Sequence, residues 1–261
     1  MQFRNSWQIQ RTVFLALFIR ELKTRFGKYR LGFFWAMIEP IVHILVLTIL
    51  FSLLRDRGDF YGIPFPLFFG VGVLAFFIFQ KIVTGGINSI SANLGLFAYR
   101  QVKPFDAIAV RAFLELLIIC LVMVFLTWLG AWFFDFETVP HAPLFILLVI
   151  ITLFIFSLGL ALMTSVIGVR YPEAAQLINM FMRPLYFLSG IFFPLQAMPE
   201  DYHVYLLWNP LLHGVEQLRA GWFSDYPADG TNIFYLFLWA MPIFFFGLAF
   251  YRNNRTRVLM S

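Results

Sequence analysis

Charge is the first thing this sequence lacks. Only 13% of its 261 residues are Asp, Glu, Lys or Arg, about half the share usual in soluble globular chains. So little polar surface cannot cover a water-facing exterior, which excludes a soluble globular fold and makes lipid the main solvent. Cysteine is nearly missing as well. Cys120 stands alone inside an apolar run, so no intrachain disulfide and no cysteine-based metal site exists, and the redox compartment is not indicated. The motifs of catalysis are absent too. No GxxxxGK[ST] phosphate loop occurs, and the one Gly-Lys pair, Gly27-Lys28, is followed by Tyr29; ATP is not bound and hydrolysed here in the usual way. HExxH, paired-cysteine and GxSxG patterns are missing. His43, His141, His203 and His213 are scattered. His213 and Glu216 lie one helical turn apart but lack a third ligand, which favours a structural hydrogen bond over a metal or acid–base pair.

Apolar residues fill that space: 61% of the chain, with 35 Phe among the 20% that are aromatic, and a mean hydropathy of +0.81. A spanning helix needs about 20 mainly apolar residues. Six stretches qualify: Leu31–Leu54, Leu67–Val83, Ile108–Phe134, Leu144–Val169, Leu177–Phe193 and Ile233–Tyr251. The fold class is therefore an all-α integral membrane protein with six transmembrane helices in a single domain, 1–261. An even number of spans puts both termini on one side. With that side inside, the inner segments carry thirteen Lys and Arg, with Lys81 at the inner end of the second span, and the outer ones only Arg55, Arg57 and Arg219, a decisive positive-inside bias. Both termini are expected in the cytoplasm.

The loops differ in kind. In segment 1–30, Phe14, Phe18 and Leu22 recur every four residues beside Val13 and Leu17, and Lys23, Arg25, Lys28 and Arg30 follow. That pattern predicts an amphipathic helix on the inner membrane face, with Arg25, Lys28 and Arg30 as candidate contacts for lipid phosphate. The apolar run Thr12–Ile19 is short and leads into Arg20-Glu21 rather than a small-residue cleavage site, so no signal peptide is expected. The inner segment 84–107 is long for a simple connection and holds a helix-like stretch stopped before Pro104. The outer segment 194–232 is amphipathic and rich in Trp, Tyr and Pro. Its Tyr205–Phe223 stretch is too polar to span and too apolar for a solvent loop, so re-entrant or interfacial helices are expected there.

Four charges lie deep inside the predicted spans. By residue count at ~1.5 Å each, Glu39 is ~12 Å deep, Glu115 ~10 Å with Arg111 one turn before it, and Arg183 ~9 Å. Burying any of them unpaired costs about 3 kcal/mol or more. Their similar depth predicts a network in which Glu39 and Glu115 pair with Arg111 and Arg183.

Four long segments resemble, in order, the type-2 ABC exporter permeases that move polysaccharides: RELKTRFGKYRLGFFWAMIEP (Arg20–Pro40), NLGLFAYRQVKPFDAIAVRAFLE (Asn93–Glu115), RYPEAAQLINMFMRPLYFLSGIFFP (Arg170–Pro194) and YLLWNPLLHGVEQLRAGWF (Tyr205–Phe223). The resemblance covers nearly the whole chain and is closest to the KpsM-type permeases of capsular polysaccharide export. It implies a homodimer in the bacterial inner membrane with two separate ATP-hydrolysing subunits, which hold the ATP and Mg, so this chain itself binds no cofactor. It also implies a lipid-linked polysaccharide as substrate, a periplasmic adaptor of the polysaccharide co-polymerase type, and contact with membrane lipid, with no role for nucleic acid. The family's coupling loop falls on segment 84–107, making Asn93, Leu94, Phe97, Arg100 and Lys103 candidate ATPase-docking residues. Its conduit, lined by the first and fifth spans, makes Phe34, Trp35, Tyr186 and Phe187 candidate lining aromatics. Permeases for O-antigen or teichoic-type polymers are near neighbours of this reading. An ion-coupled secondary transporter fits less well, since the halves are unlike and the acids sit low rather than at the midplane. A membrane-embedded transferase lacks its catalytic constellation.

Overall fold

A computed structural model describes residues 5–27, 32–54, 60–99, 101–134 and 139–260. The described residues are helical throughout, apart from short turns and one isolated bridge between Phe60 and Ile63. In chain order the helices are α1 (Ser6–Phe26), α2 (Gly32–Leu54), α3 (Phe65–Ile87), a 3-10 turn at Ser91–Leu96, α4 (Pro104–Phe134), α5 (Pro143–Arg170), α6 (Ala174–Leu188), a short 3-10 turn at Leu195–Ala197, α7 (Glu200–Leu206), α8 (Pro210–Trp222) and α9 (Ile233–Met260).

Proline punctuates these helices. It opens α3, α4, α5 and α8 within their first two positions, where its missing N–H would have no helical partner anyway. Pro172 closes α5 by disfavouring helical backbone at Tyr171, which takes φ −134° and ψ 87°. Among the described residues, five helices are long and apolar enough to cross a membrane: α2, α3, α4, α5 and α9. Where a fifth span is expected over Leu177–Phe193, α6 is 15 residues long, ~22 Å against a hydrocarbon core of about 30 Å. Ser189 leaves helical geometry and Gly190 takes φ +68°, a turn that suits a residue without Cβ.

Burial ranks the helices. In α3, 78% of the apolar window is inside the bundle, against 11% for α2 and 17% for α9. The centre is therefore α3, wrapped by α4, α5 and α8, and α2 is the least covered span. Close backbone approach joins α5 to α9: a Cβ on Gly159 would stand 2.7 Å from the Phe244 backbone. In lipid, association rests on van der Waals contact, so small residues at crossings are what let helices meet.

The helix expected in segment 1–30 is present as α1, and it lies against protein. Val13 and Leu17 are buried with Val110 of α4, with Leu96 and Val102 packed alongside. Gln10 donates to Asp106 at 2.6 Å, and Arg20 donates to the Asn93 side chain. Trp7, Leu15 and Ile19 remain exposed on its other side.

Candidate functional site

The residues along one face of α2 recur at helical spacing: Trp35, Glu39, Val42 and His43, then Val46 and Leu47. That face lines a groove in three overlapping sections. The first, beside the end of α1, is bounded by Arg25, Phe26, Trp35 and Glu39. The middle runs along α2 and shares Trp35 and Glu39 with the first. The third, a cavity of about 460 Å³ between α2 and α6, shares His43 and Leu47 with the middle and adds Gln80, Arg183, Tyr186, Phe187 and Phe192. Pro40 leaves Ala36, another groove residue, without its usual helical donor.

One hydrogen bond crosses the far section. His43 Nε2 and Tyr186 Oη are 3.0 Å apart, with their rings edge to face. Tyr186 also meets Phe76 and Phe192 edge-on, and Phe187 stacks on Phe192 at 5.1 Å. The groove thus offers apolar faces interrupted by polar points: Arg25 and Glu39 toward α1, then His43, Gln80, Arg183 and the Tyr186 hydroxyl. Rings of a ligand with apolar faces stack on such walls, and its hydroxyl or carboxylate groups meet the polar points.

Of the residues the sequence singles out for this path, Trp35 lines the first two sections, and Tyr186 and Phe187 line the third. Phe34 is exposed and stands outside these linings. The intramembrane charges are paired differently from the expectation. Glu39 pairs with Lys81 of α3 at 2.5 Å, and Glu115 pairs with Arg25 of α1. Arg111 faces Glu21 at 3.7 Å, and its Nε is buried without a hydrogen bond. Arg183 is exposed in the groove wall and makes no ion pair among the described residues. Depth along a helix does not settle partners, because helices differ in azimuth as well. Because α1 folds back on α4, Arg25 reaches Glu115, while Lys81 of α3 stands beside Glu39.

At the 3-10 turn, Asn93 points inward: it is buried, donates to Ser89 O at 2.7 Å and accepts from Arg20. Leu94 and Lys103 are exposed, as is Tyr99, which the sequence reading passed over. Phe97 is half-buried against the core. Arg100, Lys28 and Arg30 lie outside the described residues. Arg25, read as a phosphate contact, is engaged with Glu115.

Sequence reasoning missed a polar cluster in α8. Arg219, counted as an outer-loop cation, is 0% exposed. Its guanidinium donates to the carbonyls of Phe68, Gly190 and Ile191 at 2.7–3.2 Å and to Glu216 at 3.0 Å, and lies 3.6 Å over the Phe68 ring. Tyr226 Oη donates to the other Glu216 oxygen at 2.7 Å. Burial pushes the Glu216 carboxyl up, while Arg219 and the Tyr226 hydroxyl pull it down. Glu216 one turn before Arg219, in a stretch too apolar for a loop, was the available signal. His213 spends both ring nitrogens on backbone: Nε2 meets Leu207 O and Nδ1 accepts from Asn232 N–H, each at 2.9 Å. Burial holds its pKa below the usual histidine value.

The model of the ABC-2 type transporter family matches residues 12–223. Over 261 residues, 99% of both chains, the sequence is 38% identical to the polysialic acid transport protein KpsM of Escherichia coli. It is 27% identical over 258 residues to the capsule polysaccharide export inner-membrane protein BexB of Haemophilus influenzae, covering 96% of this chain and 94% of that one. The O-antigen export system permease protein RfbA of Myxococcus xanthus is 26% identical over 248 residues, 90% of this chain and 92% of the relative.

Proposed function

We propose, from the premise that this chain belongs to the ABC-2 type transporter family, that it is the membrane subunit of an exporter moving capsular polysaccharide out of a bacterial cell along the α2/α6 groove. The chain is a transport subunit, and ATP hydrolysis belongs to a separate subunit, which holds the ATP and Mg. The observation that carries the reading is the groove itself: a path along α2 with aromatic walls toward both ends, on the span least covered by its own chain. A polymer too long for an occluded pocket needs such a path, with contacts favourable enough to guide and weak enough to release. The names of the relatives support the cargo, since KpsM is a polysialic acid transport protein and BexB a capsule polysaccharide export protein.

The finer features follow from the same reading. A second copy closes the open side of each groove, making a conduit at a homodimer interface. With the basic end of the bundle in the cytoplasm, both termini lie inside. The short α6 with the residues after it counts as the fifth of six spans, and α7 and α8 form a re-entrant pair on the periplasmic side, where a co-polymerase-type adaptor continues the path. The substrate enters on its lipid anchor, whose phosphate meets the cations at the end of α1. Two ATPase subunits dock at segment 84–107, on the exposed Leu94, Tyr99 and Lys103. Motion there reaches α1 through the Arg20–Asn93 bond and α4 through Arg25–Glu115, and α1 leads directly into α2.

The test is reconstitution of the chain with its ATPase in vesicles. Polymer-stimulated ATP hydrolysis, and disulfide cross-links between copies carrying Cys at Val46 and Phe187, are expected. Transport that persists when ATP hydrolysis is abolished, driven by an ion gradient, overturns the reading. The likeness to RfbA favours a second cargo, an O-antigen-type polymer. Stimulation by that polymer and not by capsular polymer selects it.

A further inference from the structure

On the flank of α2 away from the groove lies a second cavity, of about 260 Å³, between α2, α3 and α4. Its walls are almost wholly hydrocarbon: Ile44, Leu45, Gly70, Leu74, Met123 and Leu126 are typical. It extends along α3 from Pro66 to Leu74, ~12 Å at the helical rise, which is most of one bilayer leaflet of about 15 Å. It occupies the half of the bundle away from Arg25. Two observations make this a space held open by the fold. Gly70 leaves room in its wall, where a Cβ would come no nearer than 3.8 Å to Ile44. Half-exposed Leu45 belongs both to the wall and to the outer surface of α2, so the cavity opens sideways between α2 and α4.

Water does not suit it. A buried water needs two to four polar partners, and the walls offer two threonine hydroxyls. Thr127 spends its hydroxyl on the Met123 and Val124 carbonyls. The Thr48 hydroxyl is buried without a hydrogen-bond partner and is a single group at best. An empty space forfeits dispersion contacts along its whole lining, and in a bilayer those contacts are what hold helices together. The material available at that depth is hydrocarbon.

We propose that this cavity is a binding site for one acyl chain of a bilayer phospholipid from the leaflet at the end of the bundle away from Arg25. The chain enters between α2 and α4 and lies parallel to α3. Its occupant sets how closely α2 approaches α3 and α4, and since the other flank of α2 forms the groove, the same chain sets the groove's width.

The full chain is reconstituted in phosphatidylethanolamine–phosphatidylglycerol vesicles doped with a phosphatidylethanolamine carrying a diazirine near one acyl terminus. After photolysis, label is expected on Gly70–Leu74 and Met123–Gly130, in excess of label on the exposed α5 residues Leu147 and Leu148. Gly70→Leu fills the cavity and is expected to lower that labelling about tenfold, the change that losing roughly two buried methylenes brings, while the α5 label stays constant. Leu126→Trp fills it from α4 and repeats the test if the first variant does not fold. Cavity labelling no greater than that of α5, or labelling that either folded variant leaves unchanged, overturns the proposal.

Discussion

The α8 end of the molecule and the α2/α6 groove both place polar side chains in an apolar bundle, and they do so in opposite ways. In α8, one guanidinium is removed from solvent and given five partners, four hydrogen bonds and an aromatic face, drawn from α3, the turn after α6 and α8 itself. In the groove, one hydrogen bond between His43 and Tyr186 links two helices whose remaining surfaces are open. A buried charge with every nitrogen hydrogen-bonded fixes geometry, because movement costs those bonds in a medium of low dielectric. A single neutral bond between half-buried groups contributes about 1 kcal/mol, so it breaks and reforms without loss of the fold. The first region is built to hold its position, and the second can rearrange at little cost.

The largest effect is therefore expected at Arg219. Arg219→Met strands Glu216 and leaves three carbonyls without their donor, and is expected to cost about 3–5 kcal/mol, seen as a lower thermal midpoint of the purified protein. Arg219→Met with Glu216→Leu removes both charges and is expected to recover much of that loss. A double variant no better than the single would mean the carbonyl contacts, and not the stranded carboxylate, dominate. Next comes Gly72→Ala. Its new methyl would collide with the Arg219 guanidinium, which is pinned and cannot step aside, so one methyl on α3 is expected to destabilise the α8 end by about 1–3 kcal/mol.

The groove is expected to respond in the reverse order, with function ahead of stability. Tyr186→Phe removes the hydroxyl that meets His43 and is expected to change stability by about 1 kcal/mol or less, while polymer-stimulated ATP hydrolysis of the reconstituted transporter changes several-fold. Glu39→Gln is milder still. The Glu39 carboxylate is largely exposed where it meets Lys81, and such pairs are worth about 0–1 kcal/mol. A groove variant that unfolds the protein as badly as Arg219→Met would erase the distinction between the two regions.

What the sequence made legible follows from what lipid demands. Helices α2, α4 and α5 begin and end within a few residues of the expected spans, because a bilayer requires about 20 apolar residues without relief. The early end of α6 was less visible, since Ser189-Gly190 interrupts an apolar run without bringing in charge. Pairing was the least legible feature. Residue counting along one helix gives depth alone, and from it Glu39, Arg111, Glu115 and Arg183 were expected to pair with one another. The partner of each depends on which helix stands beside it, and no periodicity within α4 announces that α1 will fold back to bring Glu21 and Arg25 to it. Asn93, a docking candidate through the resemblance alone, shows the same limit: tertiary packing turns it inward to Arg20.

The smallest effect sharpens the comparison by pH. His213 is held neutral at the α8 end: burial lowers its pKa, and its Nδ1 is already an acceptor for Asn232 N–H, a role the protonated ring cannot fill. The folded pKa lies below the unfolded value of about 6.5, so the unfolded state binds the proton first. The stability this residue contributes is present above about pH 6.5 and is lost as pH falls below it toward the folded value. Lowering pH from about 7.5 to about 5.5 spans that window, and the thermal midpoint of the native protein is expected to fall across it. His213→Gln keeps an amide donor for Leu207 O and an oxygen acceptor for Asn232 N–H without a titrating ring, and is expected to flatten that dependence. If the variant keeps the full slope, the pH sensitivity belongs to another group, and the α8 end owes its rigidity to the Arg219 cluster without help from His213.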